Sequence, residues 1–234
     1  ELQELVATKD RFFSIIAHDL KDPHNAILGF SEILSTNYEI LSDQDKKNYI
    51  KNILLSSQLL SRLLQNLLEW AGSQTGRMVY QPENLDVTKL IKETFELLLY
   101  QAKIKQIRLI CDIESSLIVY ADSNMIRTVL RNLVSNAIKF TNRNGFVKVS
   151  AAIISDATTQ KPMVEISVSD NGVGISKENL EKLFKLDYKI KTQGTEDEMG
   201  SGLGLILCKE LVRKNKGFMN ITSEENTGND REEK

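Results

Sequence analysis

The run Ile50-Lys51-Asn52-Ile53-Leu54-Leu55-Ser56-Ser57-Gln58-Leu59-Leu60-Ser61-Arg62-Leu63-Leu64-Gln65-Asn66-Leu67-Leu68-Glu69-Trp70-Ala71 decides how the first part of this chain folds. In it Ile50, Ile53, Ser57, Leu60, Leu64, Leu67 and Ala71 alternate spacings of three and four. That seven-residue repeat predicts a long helix supercoiled against other helices. Ser42 precedes the run as a candidate N-cap, with acidic residues in the turn that follows. Further upstream, Phe12, Ile16, Leu20, Ile27 and Phe30 line one stripe of an earlier helix. The short turn from Asn37 to Leu41 makes the two helices a hairpin with a wide apolar face. Pairing two hairpins into a four-helix bundle buries that face and predicts a twofold homodimer. The alternative is that the hairpin packs on the C-terminal part of its own chain.

His18 lies about 200° around the first helix from Ile16, which predicts an exposed imidazole among Ser14, Lys21, Asp22 and Asn25, with Asp19 adjacent. By itself such a histidine is an ordinary surface residue. Pro23 cannot donate to the carbonyl of Asp19, so a kink is predicted one turn beyond His18. His24 faces elsewhere and has no assigned role.

The 234 residues are 41% hydrophobic and 26% charged, enough for one large domain or two small ones. Thirty basic residues stand against 32 acidic ones without a long block of either sign, which speaks against nucleic-acid or membrane-surface binding. Cys111 and Cys208 sit in apolar contexts and are expected to be buried free thiols in a reducing cytoplasm. No apolar run is long enough to span a bilayer, so no direct membrane contact is expected. The opening Glu1-Leu2-Gln3-Glu4-Leu5 suggests a helix entering from an upstream segment.

Composition divides the chain into a helical hairpin (1–72), a linker (73–84) marked by Gly72, Gly76 and Pro82, and a mixed domain (85–234). In the mixed domain, helices are predicted over Asp86 to Ala102, Met125 to Phe140, Asn179 to Phe184 and Gly202 to Lys214. Strands are predicted over Ile107 to Ile113, Leu117 to Tyr120, Gly145 to Ile154, Met163 to Ser169 and Phe218 to Thr222. This order, with adjacent strands expected to be antiparallel, predicts a two-layer α/β sandwich.

Three segments here carry chemistry. Asn132 and Asn136 are four apart and Lys139 three further on, so one helix face offers two amide oxygens and an ammonium. Such groups suit a Mg²⁺ shell and phosphate oxygens, or else a plain polar face. Ser169-Asp170-Asn171-Gly172-Val173-Gly174-Ile175 follows an apolar strand; its glycines permit close approach and Asp170 can accept from an exocyclic amine. The plain alternative is a strand-ending turn. Gly200-Ser201-Gly202-Leu203-Gly204-Leu205 opens a helix whose free N–H groups suit an anion, although flexibility alone would also explain it. It is neither a dinucleotide fingerprint nor a P-loop, since no Gly-Lys pair occurs in the chain. The polar stretch Lys185 to Met199 between the two glycine loops reads as a mobile lid.

Taken in order, Ser14 to Pro23, Asn132 to Phe140, Asp170 to Ile175 and Gly200 to Leu205 resemble the histidine, N and two glycine boxes of sensor histidine kinases of bacterial two-component systems. The resemblance runs from about residue 1 to about residue 224. It implies a dimerisation and histidine-phosphotransfer hairpin followed by an ATP-binding domain of the type shared with gyrase and heat-shock chaperones. His18 would attack the γ-phosphate of ATP, with Asp19 as the neighbouring base. Asn136 would ligate Mg²⁺ with Asn132 nearby, and Lys139 would contact phosphate. Asp170 would bond the adenine amine, and Gly172 and Gly174 would shape the pocket. Gly200, Gly202 and Gly204 would form the hinge and phosphate side of the lid, with Lys189 in place of a lid arginine. The phosphoryl group would then pass to an aspartate of a response regulator receiver domain. The implied location is cytoplasmic, free or as the cytoplasmic part of a membrane-anchored sensor. The alternative is a non-catalytic dimeric signalling scaffold that keeps the nucleotide-binding domain. Three departures stand out: Asp22 where many relatives carry Thr, Asn or Ser, which weighs against phosphatase activity; Asp187 in place of a second lid aromatic; and a polar C-terminus where relatives place an apolar strand.

Overall fold

In the computed structural model, residues 2–74, 79–113, 116–155, 162–183, 194–196, 198 and 204–225 are described, the side chains of 2–16, 18, 70, 73 and 74 excepted. Two long helices, α1 (Leu2–Asn37) and α2 (Asp43–Gln74), form the expected hairpin. Ser42 caps α2: its Oγ accepts from the Asp45 N–H at 3.1 Å and donates to Asp45 Oδ2 at 2.6 Å. Phe30 and Tyr49 stack across the hairpin, ring centroids 5.4 Å apart. α1 runs on through Pro23, which is buried. The far end of α2 meets the mixed domain, and Glu69 pairs with Arg131 at 3.7 Å. Ile50, Leu54, Leu55, Leu64 and Leu68 nevertheless stay exposed along α2.

The mixed domain follows as β1 (Pro82–Asp86), α3 (Val87–Ile104), β2 (Arg108–Asp112), β3 (Ile118–Asp122), α4 (Ser123–Phe140), β4 (Phe146–Ser155), β5 (Pro162–Asp170), α5 (Lys177–Leu180) and α6 (Gly204–Lys214). β1 pairs antiparallel with β3, Leu85 opposite Val119. β4 lies between β2 and β5, antiparallel to β5 with Val149 opposite Val168. Its pairing with β2 is parallel, Cys111 opposite Val149, which corrects the antiparallel expectation. The reason is the crossover through β3 and α4, which returns the chain to the sheet in its original direction.

Two further corrections concern strands. β1 begins within the segment read as linker, because Pro82, Glu83 and Asn84 have weak strand preference and only the β3 partner makes them extended. Phe218 to Thr222 alternates between more and less exposed residues as a strand would, but forms no ladder among the described residues.

The main core joins α3, α4 and the sheet: Val87, Leu90, Ile91, Leu98, Leu130, Val134, Val147 and Val149 are all buried there. A second cluster, Met125, Val129, Leu207, Cys208 and Leu211, packs the other side of α4 against α6. Cys208 is buried as expected, and burial pushes its thiol up to about 12. Cys111 is exposed, contrary to expectation: it shares the strand face of Leu109, which packs on the core, but β2 is an edge strand of its sheet. Leu130 is 1% exposed at the centre of the main core. Leu130→Ala should cost about 2–5 kcal/mol, read as a lowered denaturation midpoint in urea.

Candidate active site

α4 organises the site, and both of its ends are pinned. At its start the buried Asp122 accepts from the Met125 N–H at 3.1 Å and the Gln81 N–H at 2.9 Å. The Asp122 N–H in turn donates to Asn215 Oδ1 at 2.8 Å, tying in the end of α6. Met125 and Val129 share a face of α4 that α6 covers. Asn132, Asn136 and Lys139 continue that same face, within about 60° of one another, towards the C-terminus of α4. α6 begins opposite Asn132: a Cβ on Gly204 would stand 3.0 Å from Asn132 Oδ1. Asn132 Nδ2 donates to the Thr128 carbonyl at 2.9 Å, which leaves Asn132 Oδ1 on the side of Gly204. The face therefore turns from apolar to polar where its cover ends.

Lys139 is 8% exposed, with its ammonium 4.4 Å from the Phe140 ring centroid. Burial lowers its pKa, Glu198 opposes this, and Arg62 of α2 and Lys105 add to it. An anionic ligand here would relieve the crowding of positive charge.

The first glycine loop closes against the same helix end. The Val173 N–H donates to the Phe140 carbonyl at 3.1 Å. Gly172 packs so tightly on that carbonyl that any Cβ would collide with it. Gly174 has φ +71° and lies against the Glu224 carbonyl, a position closed to larger residues. Asn171 Oδ1 accepts from the Phe146 N–H at 2.7 Å, holding the loop to β4.

Asp170 ends β5 beside this loop. The structure thus brings Asn132, Asn136, Lys139, Asp170, Gly172, Gly174 and Gly204 to the C-terminal half of α4 and its surroundings. Lys189, Gly200 and Gly202 lie outside the described residues, as do Phe184 and Asp187. His18 lies in α1 with its side chain outside the description; Asp19 is half-buried and Asp22 exposed. The sequence reading passed over Asp122, Asn215 and Lys105. Their positions carry no motif, and only the presence of Asp before a helical run hinted at the Asp122 cap.

Asp170 supplies a pH signature. Its carboxyl is pushed above the usual aspartate range by burial, opposed by the Gly172 N–H donated at 2.9 Å. The residue keeps exposed surface, so the effect on stability is modest. The folded state holds this proton more tightly than the unfolded one. Its contribution is therefore fully present below the unfolded pKa and is lost as pH rises through the raised folded value. Asp170→Asn should remove that loss, so the ligand-free variant melts at or slightly above the parent at pH 7. A clearly lower melting temperature at pH 7 contradicts this account.

Comparison with known proteins bears on the whole arrangement. Residues 8–76 match the His Kinase A (phospho-acceptor) domain, and residues 121–231 match the histidine kinase-, DNA gyrase B- and HSP90-like ATPase. The non-motile and phage-resistance protein of Caulobacter vibrioides is 33% identical over 92% of this chain and 25% of its own length. An uncharacterized sensor-like histidine kinase of Rhizobium meliloti is 33% identical over 94% of this chain and 41% of its own length. The chain thus spans less than half the length of these curated relatives. Among solved structures, histidine kinase ThkA in complex with response regulator protein TrrA superposes with a TM-score of 0.70 at 25% identity, covering 92% of this chain and 57% of that one. A phospho-acceptor hairpin followed in the same chain by a gyrase- and HSP90-like ATP-binding domain makes this protein a member of the sensor histidine kinase family, carrying its catalytic core.

Proposed function

We propose that this chain uses ATP to phosphorylate His18 within a homodimer and then passes the phosphoryl group to an aspartate of a response regulator receiver domain. The observation that carries the reading is the convergence of Asn132, Asn136, Lys139 and the Asp170 loop at one end of α4, in a chain whose phospho-acceptor match contains His18. Asp170 accepts from the adenine amine, and Gly172 and Gly174 let the loop close around the base. Lys139 neutralises phosphate oxygens, with Lys189 reaching the γ-phosphate from the lid. The hinge glycines Gly200, Gly202 and Gly204 present the start of α6 to the phosphates.

The Asn136 amide oxygen suits a hard cation, and Asn132 Oδ1 is turned toward the same space. These residues would hold Mg²⁺, which when bound neutralises charge on the transferring phosphate. An imidazole nitrogen of His18 attacks the γ-phosphorus, the bond from phosphorus to the bridging oxygen of ADP breaks, and ADP leaves. Asp19 accepts the proton released from the ring and holds its orientation. The P–N bond formed is then broken by attack of a receiver carboxylate on phosphorus, and the ring takes back the proton held by Asp19, which restores neutral His18. Ile50, Leu54, Leu64 and Leu68 supply the apolar face that a second hairpin covers. Functionally, the hairpin is 1–72, the linker 73–84 and the ATP-binding domain 85–234, with β1 pairing into that domain from the linker side.

Incubation with γ-labelled ATP and Mg²⁺ tests the reading: the parent should acquire acid-labile, base-stable label and His18→Ala none. Label that persists in His18→Ala, or never forms in the parent, overturns it. Asn136→Ala should slow labelling on the order of a hundredfold, measured as an initial rate at saturating ATP.

A further inference from the structure

Lys105 follows α3 and belongs to none of the motifs, yet its side chain is only 5% exposed. Its ammonium donates to the carbonyls of Ile138 at 3.0 Å and Lys139 at 2.9 Å, to Thr195 Oγ1 at 2.6 Å and to Glu198 Oε1 at 2.9 Å. The two carbonyls end α4, so the cation offsets the negative end of that helix. The other two acceptors belong to the stretch read as the lid.

That stretch is fastened at further points. The Thr195 N–H donates to the Lys139 carbonyl at 3.2 Å and its hydroxyl to the Thr141 carbonyl at 2.9 Å. Arg143 pairs with Glu196 at 2.6 Å, and Glu198 Oε2 accepts from the Glu196 N–H at 2.8 Å. A Cβ on Gly194 would collide with Glu198 Oε2 and stand 2.7 Å from Lys139 Cγ. The Glu198 carboxylate and the Lys139 stem therefore flank the same point. The charge of Glu198 reaches Lys139, where it opposes the effect of burial.

We propose that Lys105 is a positioning residue for the ATP reaction: it holds the Glu198 carboxylate on itself at the end of α4 and so limits competition between that carboxylate and phosphate for Lys139. The inference rests on Lys139 as a phosphate contact. A buried, hydrogen-bonded ammonium holds a carboxylate strongly, and removing one partner leaves the other to seek a new counter-charge. Without the charge of Lys105, the phosphates of ATP must displace Glu198 from Lys139. ATP binding weakens, while the rate once ATP is bound does not change.

The test is a double-mutant cycle in Mg²⁺–ATP binding, measured by calorimetry on the full chain. Lys105→Gln keeps an N–H donor for the α4 carbonyls but drops the charge. It should weaken ATP binding on the order of tenfold, with KM raised and kcat unchanged. Glu198→Gln alone should stay within about twofold of the parent, and Lys105→Gln/Glu198→Gln should recover most of the loss. Parent-like binding by Lys105→Gln, or a double variant no better than Lys105→Gln, overturns the proposal. Should Lys105→Gln not fold, Lys105→Met, which also drops the charge, takes its place with the same weakening and the same rescue by Glu198→Gln expected. A parent that binds no ATP refutes the phosphate role of Lys139, and with it the competition. Hydrogen exchange at the Gly194 and Thr195 amides then still reports whether Lys105 fastens the lid, and protection unchanged in Lys105→Gln shows that it does not.

Discussion

Helix α4 must bury two faces and still keep part of one of them open, and the rest of the ATP-binding domain is arranged around that demand. Leu130, Val134, Ala137 and Ile138 go into the core shared with α3 and the sheet, while Met125 and Val129 go under α6. At roughly 25 cal/mol per Å² of apolar surface removed from water, these contacts hold the helix far more strongly than its own propensity does. The polar continuation, with Asn132 and Asn136 half-buried and Lys139 buried, is left uncovered by α6 because that helix starts at Gly204, beside Asn132. A longer cover would have demanded apolar residues at those positions.

The C-terminus of α4 gathers the remaining polar chemistry for a related reason. Its last carbonyls lack helical partners and must find donors. Val173 satisfies that of Phe140, while Lys105 and Thr195 satisfy those of Ile138 and Lys139. Ordinary helix capping thereby brings the first glycine loop and Thr195 to the same place as Lys139. A structural necessity and the layout of the site coincide.

The hairpin carries a different balance. One end of α2 is buried against the ATP-binding domain, with Leu63 and Asn66 at 1% and 4% exposure, while Ile50, Leu54, Leu55 and Leu68 remain open to water. Buried and exposed residues thus share one stretch of the helix, Leu63 and Asn66 beside Leu64 and Leu68. The contact between α2 and the domain is small and partly polar, with Glu69 Oε2 buried and lacking a hydrogen-bond partner among the described residues. Such a contact is that of two domains in one chain rather than of one fused core.

Much of this was legible from residue order. The heptads of α2, the Ser42 cap, the buried face of α3 and the Asn132, Asn136 and Lys139 face follow from local periodicity, because a helix repeats every 3.6 residues whatever surrounds it. The first glycine loop was legible because close approach at Gly172 and positive φ at Gly174 restrict residue type at a single position. Tertiary structure alone decided that Pro82–Asp86 would be a strand, that β2 and β4 would run parallel, and that Lys105 would be buried beneath the lid. Each of these depends on a partner distant in sequence: β3 for the strand, the crossover for the direction, and Thr195 and Glu198, some ninety residues on, for the lysine. Periodicity carries information about which face of an element is buried; it carries none about which distant group will be waiting there.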